Sequence, residues 1–311
     1  MRSSLPKVVH EVAGRSMVGH VVRAARQAGA SNIIVVVGFK QERVREALKD
    51  EDVRFAVQDQ QLGTGHAVAC ARQEFVEDPA ATFVLNGDGP LLRAGTLSAL
   101  AERHQSGDQP GAGVTISTVT VDNPTGLGRV VRNEEGAFQG IVEEADADAA
   151  TRAIREVYPG IMMIGRDAWP RLEKLGQDNA QGEVYLTDLP RATVLDAFPV
   201  RTFEIQDPTE VLAANDRREL ARLERVLQAR LRDGWMRAGV TFLAPDSVFL
   251  HDDVALGRDV TLEPGVVLRR GTAIADRVTV GVGAVLTSCR VEEDATIAPY
   301  TVAEGRTFSG T

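Results

Sequence analysis

Few patterns limit a fold as tightly as a short, unbroken repeat, and residues 248–286 carry one of six residues. Leu250, Leu256, Leu262, Leu268, Ile274, Val280 and Leu286 stand six apart without a gap. A second column, two residues earlier, holds Val248, Val254, Val260, Val266, Thr272, Val278 and Ala284. The register slips by one at Val291 and resumes at Ile297. Hexapeptide periodicity predicts a parallel β-helix, in which the branched residue of each short strand fills a shared interior. Three hexapeptides close one coil, so the repeat predicts about three coils. Stacked coils cannot cap their own open end, and no terminal cap is read before Thr311.

The first part of the chain has a different grammar. Met17, Val18, Val21, Val22 and Ala25 mark one face of a helix over residues 14–28. Residues 32–37 (Asn-Ile-Ile-Val-Val-Val) are a continuous apolar run, as a strand buried on both faces would be. The alternation continues with a helix over 41–48, a strand over 53–57, a helix over 65–74, a strand over 82–86 and a helix over 94–105. Further strands are expected at 114–119 and 161–164. Helices interleaved with short apolar strands predict an α/β fold of the Rossmann-like kind, a mostly parallel sheet covered on both faces. In such sheets ligands sit beyond the carboxyl ends of the strands. Over 207–239 the stripe Leu220, Leu223, Leu227 and Leu231 predicts one long helix. The expected divisions are therefore 1–206, a connecting helix at 207–239, and the repeat from 240 to 311.

Composition excludes several functions. A net charge of −9 argues against a nucleic-acid binder, which needs a surplus of Lys and Arg. No apolar run approaches the ~20 residues of a membrane span, and no apolar signal-peptide core opens the chain. The two cysteines, Cys70 and Cys289, fit neither a zinc pattern nor a disulfide framework and are expected to pack as small apolar residues. A reduced, cytoplasmic protein is expected.

Two segments concentrate polar groups beside predicted strands. Residues 58–67 read Gln-Asp-Gln-Gln-Leu-Gly-Thr-Gly-His-Ala, in which amides can pair with the carbonyl and N–H edge of a base and glycines allow close backbone approach. A strand then ends in Asn86-Gly87-Asp88-Gly89-Pro90-Leu91, which presents one carboxylate at a strand end. Upstream, Leu5-Pro6-Lys7-Val8-Val9 places a cation just before a helix.

Together these motifs, over about residues 1–303, resemble the uridyltransferase half of the bacterial bifunctional N-acetylglucosamine-1-phosphate uridyltransferase / glucosamine-1-phosphate acetyltransferase family. The resemblance implies a nucleotidyltransferase domain followed by a left-handed β-helix, and Mg²⁺-dependent transfer from UTP to N-acetylglucosamine-1-phosphate. It implies Asp88 and Asn215 as metal ligands and Lys7 as the catalytic contact to the nucleotide phosphates. It places Gln58, Gln61, Gly63 and Thr64 at uracil, with His66 structural. It places Gly128, in Pro124-Thr125-Gly126-Leu127-Gly128-Arg129, and Glu143 at the sugar. Residues 179–188 resemble a segment near the sugar pocket. A homotrimer through the β-helix is also implied, with neither nucleic acid nor membrane as partner.

Three departures qualify that expectation. Gly89 replaces the family's valine behind the carboxylate. The segment expected to read Asn-Thr-Gly-Ile is Tyr158-Pro159-Gly160-Ile161, which sets a phenol at the sugar and opens the alternative of another sugar-1-phosphate. The family's opening strand and glycine-rich phosphate loop have no counterpart before Leu5, with Met1 falling where the loop's last methionine is expected, as a start assigned too late or a genuine internal start would give. The coils holding the family's acetyl-coenzyme A site are likewise not matched, so no acetyl transfer is expected. Activity of this span is in question, and a non-catalytic assembly or regulatory homologue is the remaining alternative.

Overall fold

In a computed structural model of the chain, residues 1–38, 40–75 and 79–310 are described. Contacts divide it into two compact units, Ser3–Val9 with Val18–Leu212, and Met1–Arg2 with His10–Met17 and everything from Ala213 on.

The larger unit begins with alternating helices and strands: α1 (Met17–Gln27), β1 (Ile34–Val37), α2 (Gln41–Ala47), β2 (Arg54–Val57), α3 (Thr64–Arg72), β3 (Ala81–Val84) and α4 (Ala94–His104). The expected order holds, with ends moved by up to three residues. Helix α1 starts at Met17 and not at Gly14 because Gly14 lies at φ +78° in a turn joining two short strands, Glu11–Val12 and Arg15–Ser16.

The rest of this unit is richer in strands: β4 (Val114–Thr120), β5 (Gly128–Arg132), β6 (Phe138–Val142), α5 (Ala149–Arg152), β7 (Glu156–Tyr158), β8 (Met162–Gly165), α6 (Trp169–Leu172), α7 (Leu189–Leu195) and β9 (Val200–Glu204). Seven strands form one sheet in the order β3-β8-β4-β7-β5-β6, with β9 also pairing β4. The expectation of a mostly parallel sheet is corrected here: only β4 and β9 pair in parallel, and the other contacts are antiparallel. The β5–β6 hairpin turns at Gly136, φ +80°, and such tight turns impose antiparallel pairing. Trp169, Leu189, Ile116 and Met162 are fully buried and centre the core on one side of the sheet.

Strands β1 and β2 stand apart as a two-stranded parallel sheet. The apolar run predicted a fully buried strand, yet Ile34, Val35 and Val36 are only half-buried. Among the described residues no strand pairs the outer edge of β1 or of β3.

The smaller unit contains α8 (Arg217–Arg237) and three four-stranded parallel sheets of two- and three-residue strands, consistent with a left-handed parallel β-helix. Four strands per sheet make four coils, one more than the repeat count implied. Both predicted columns are buried throughout, from Val248 to Ile297. Ala255 pairs with Ala273, eighteen residues on, whereas Ala273 pairs with Arg290, seventeen on; the sequence slip at Val291 is a coil shortened by one residue. Helix α8 starts ten residues later than its leucine stripe suggested. The Asp216 carboxylate caps it, accepting from the Arg218 and Glu219 N–H groups at 2.8 Å, and Pro208–Val211 forms a separate 3-10 turn. Cys70 and Cys289 are both free thiols. No helix among the described residues is long and apolar enough to cross a membrane.

Candidate functional site

Pro6 opens a 3-10 turn at Lys7–Val9, and the Asn86-Gly87-Asp88 turn follows β3. These bring the Lys7 ammonium within 2.6 Å of Asp88 Oδ2, with the two side chains 37% and 17% exposed. A cation and a carboxylate held together at a strand end can meet the charges of phosphate groups and of a divalent cation. Among the described residues no group of three or more His, Cys, Asp and Glu is placed to hold a metal. Within this unit the motif therefore offers one carboxylate, that of Asp88. Such a donor set fits Mg²⁺, which commonly takes one or two carboxylates and fills its octahedron with substrate phosphates and water. Asn215 lies in the other unit, where its N–H donates to Glu219 Oε2 at 2.6 Å and its carbonyl accepts from the Met1 amine at 2.8 Å. It precedes the helix cap instead of being it.

The 58–67 segment is tied to residues 183–186. Gly63 lies at φ +109°, and a Cβ there would sit 2.6 Å from the Val184 carbonyl oxygen. The Gly65 N–H donates to that same oxygen at 2.8 Å, the Val184 N–H to Leu62 O at 2.7 Å, and the Leu186 N–H to Thr64 Oγ1 at 3.1 Å. Gln58 Nε2 donates to the Gly63 carbonyl at 3.1 Å and lies 3.0 Å from His66 Nδ1. Gln58, Gly63 and Thr64 thus hold the loop's own conformation, beyond whatever they offer a base. His66 also approaches Cys70 Sγ at 3.7 Å, the helix-spaced contact of a packing histidine.

A second cluster forms where β5, β6 and β7 meet. Gly128 pairs with Tyr158, and a Cβ on Gly128 would lie 2.7 Å from Ile141 Cγ2 and 3.6 Å from Glu143 Oε2. Glu143 Oε1 accepts from the Thr187 hydroxyl at 2.9 Å. Burial holds the Glu143 carboxyl above the usual carboxylate range, opposed by the Thr187 hydrogen bond and reinforced by Asp146 and Asp188. Burial, and then the nearby Glu143 charge, push the Tyr158 phenol well above its ordinary value. Its hydroxyl is buried with no hydrogen-bond partner. A buried orphan of this kind usually marks a place where a ligand or water completes the bonding.

One cavity of about 940 Å³ gathers Lys7, Gln58, Gln61, Thr64, Gly128, Glu143 and Tyr158. Sequence reasoning missed two of its residues. Thr187 lies in the 179–188 segment, but only the fold shows its hydroxyl on Glu143. Asn86 was read as part of a turn; a Cβ on Gly160, at φ +81°, would fall 2.0 Å from its amide nitrogen, so this side chain sets the path of the chain after Tyr158. That glycine was the available signal.

A strand-end carboxylate paired with lysine, above a sheet flanked by helices, is the arrangement of a nucleotide-handling transferase, and residues 1–192 match the MobA-like NTP transferase domain family. Relatives extend the likeness through the β-helix. "Bifunctional protein GlmU" of Trichlorobacter lovleyi is 40% identical over 96% of this chain and 68% of its own length. The proteins of that name in Anaeromyxobacter dehalogenans strain 2CP-1 and Heliobacterium modesticaldum are 43% and 41% identical, over 97% and 98% of this chain and 62% and 66% of theirs. The chain belongs to the bifunctional GlmU family. It spans about two thirds of the length of these relatives.

Proposed function

We propose that the larger unit transfers a uridylyl group from UTP to N-acetylglucosamine-1-phosphate, giving UDP-N-acetylglucosamine and pyrophosphate. A phosphate oxygen of the sugar phosphate attacks the α-phosphorus, the bond from that phosphorus to the bridging oxygen breaks, and pyrophosphate leaves with the electron pair. The observation that carries this reading is the Lys7–Asp88 pair at the carboxyl end of β3, in the unit whose cavity also holds Gly128, Glu143 and Tyr158. Lys7 meets the triphosphate charge, and its release from Asp88 frees that carboxylate for Mg²⁺. When bound, Mg²⁺ supplies charge neutralisation between phosphates that otherwise repel. Gln61, with Gln58, Gly63 and Thr64, faces the base. Glu143, oriented by Thr187, accepts hydrogen bonds from the sugar.

A second reading concerns the sugar. The Tyr158 hydroxyl, buried without a partner, favours a sugar-1-phosphate that hydrogen-bonds to a phenol over one that needs a small amide there. The β-helix is proposed to assemble three copies, and its exposed Leu243, Tyr300 and Val302 are apolar groups that such an assembly would cover. A cytoplasmic location follows from the substrates. A non-catalytic assembly role is the remaining reading. Pyrophosphate release from UTP and Mg²⁺ across a panel of sugar-1-phosphates tests the first two, and a Mg²⁺ titration of UTP binding tests the third. Turnover with N-acetylglucosamine-1-phosphate supports the first, preference for another sugar the second, and no Mg²⁺-dependent UTP binding the third.

A further inference from the structure

Two carboxylates stand side by side after β6 and hold different things. Glu143 lines the cavity and accepts from the Thr187 hydroxyl at 2.9 Å. Glu144 accepts from the Gly126 N–H at 3.1 Å and from an Arg129 guanidinium nitrogen at 2.6 Å, and its own carbonyl accepts from Arg152 at 3.4 Å. The loop it holds, residues 124–128, contributes Gly126, Leu127 and Gly128 to the same cavity. The transfer as described uses the first carboxylate and leaves the second without a role.

Arg129 makes this more than a surface ion pair. Its side chain is only 2% exposed, against 35% for Glu144. A guanidinium keeps its charge, so burying one needs a counter-charge as well as hydrogen-bond acceptors. Arg129 finds acceptors in the Leu127 carbonyl and, at 3.4 Å, the Arg152 carbonyl. Glu144 is the one carboxylate paired with it among the described residues. The Arg129 bond, and then the Gly126 N–H, hold the Glu144 carboxyl below the usual carboxylate range. Arg152, 3.8 Å away and half exposed, adds little. Packing does not fix the loop at Gly126, which lies at φ +81° with nothing within 4 Å of where a Cβ would sit. Bonds inside the loop, such as Leu127 N–H to Pro124 O at 3.1 Å, shape it without attaching it to its neighbours. The attachment across to the end of β6 is the Glu144 carboxylate.

We propose that Glu144 is a positioning residue for the sugar phosphate, tying the 124–128 loop to the chain that carries Glu143 so that both sides of the sugar site keep one spacing. The inference rests on the transfer reading. Glu144 touches no substrate in this scheme. It acts through Gly126 and Arg129 on one side, and on the other through its chain neighbour Glu143. Contacts held in place before binding cost a ligand less ordering than contacts that must be assembled around it. Loss of the tie should therefore weaken the sugar phosphate and spare UTP, whose proposed contacts at Lys7 and at residues 58–64 lie on other segments.

The test measures KM and kcat of the purified 311-residue chain with UTP, Mg²⁺ and N-acetylglucosamine-1-phosphate, or the sugar-1-phosphate preferred over it, and amide hydrogen exchange at Gly126. Glu144→Ala should raise KM for the sugar phosphate about 10-fold or more, the worth of one charge-assisted hydrogen bond, and lose protection at Gly126. KM for UTP and kcat should stay within about twofold of the parent, a split that general loosening of the fold would not give. Glu144→Gln keeps an acceptor for Gly126 but not the charge opposite Arg129. It should raise the same KM only about threefold and keep the protection, since a neutral bond is about half as strong. Glu135→Ala, which removes an exposed carboxylate between β5 and β6, should change neither readout. A KM for UTP that rises in step, a sugar-phosphate KM unchanged in Glu144→Ala, or Gly126 protection retained without the carboxylate would each overturn this inference alone. A parent chain that turns over no sugar-1-phosphate would remove the transfer reading, and this inference with it.

Discussion

Replacing Gly63 by alanine should cost the larger unit about 2–6 kcal/mol. Gly63 lies at φ +109° and ψ 178°, a region essentially restricted to glycine, where a side chain adds about 1–3 kcal/mol. The new Cβ would also sit 2.6 Å from Val184 O and 2.9 Å from Val184 N. Those are backbone atoms and cannot rotate aside, so the segment must move; overpacking of this kind costs about 1–3 kcal/mol. Moving it strains the Gly65–Val184 and Val184–Leu62 hydrogen bonds. Two controls separate the contributions. Gly136, at φ +80°, has nothing within 4 Å of a Cβ, so Gly136→Ala isolates backbone strain at about 1–2 kcal/mol. Gly89 has neither positive φ nor a neighbour within 4 Å, so Gly89→Ala should stay within about 0.5 kcal/mol. Urea unfolding would be followed by the fluorescence of Trp169, buried in this unit, with Trp235→Phe removing the other of the two tryptophans. The difference in midpoint multiplied by the common slope gives each cost. A Gly63→Ala cost no larger than that of Gly136→Ala would refute the docking of residues 183–186 as the reason for this glycine.

Three further outcomes follow from the same geometry. Burial holds the Glu143 carboxyl high, so the folded state keeps its proton longer than the unfolded chain, and stability falls as pH rises from about 4.5 through the folded value. Glu143→Gln should therefore melt higher than the parent at about pH 8 and no higher at about pH 4, while losing transfer to the sugar phosphate; an equal gain at both pH values would contradict the burial argument. Asp88→Asn should abolish Mg²⁺-dependent pyrophosphate release yet change unfolding free energy by no more than about 1 kcal/mol, because the ion pair with Lys7 is partly exposed; retained turnover would remove Asp88 from the metal. Leu262→Ala, at a fully buried position of the β-helix, should cost about 2–5 kcal/mol in calorimetry, and a loss under 1 kcal/mol would mean that the coil collapses around the gap.

What could be read from the sequence depended on how local its cause was. The β-helix was legible almost residue by residue because each coil pairs only with its neighbours, so a slip of one residue at Val291 reappears as a pairing shortened by one. Coil number was undercounted because its first strand, Thr241–Phe242, precedes the regular period, and the 3-10 turn Pro245–Ser247 intervenes. In α8 the leucine stripe marked the apolar face but not its docking. Of the four leucines only Leu223 is buried, and the other buried side chain is Gln228, whose amide accepts from the Leu250 N–H at 2.9 Å and donates to its carbonyl at 2.6 Å. A hydrophobic pattern discards such a residue, since an amide is buried only when a particular backbone group is waiting for it. The site divides in the same way. Asp88 and Lys7 were legible because each ends a local motif, and the fold only had to bring two short turns together. The link from Thr187 to Glu143 crosses 44 residues and was not, although Glu143 and the 179–188 segment each resembled sugar-site positions.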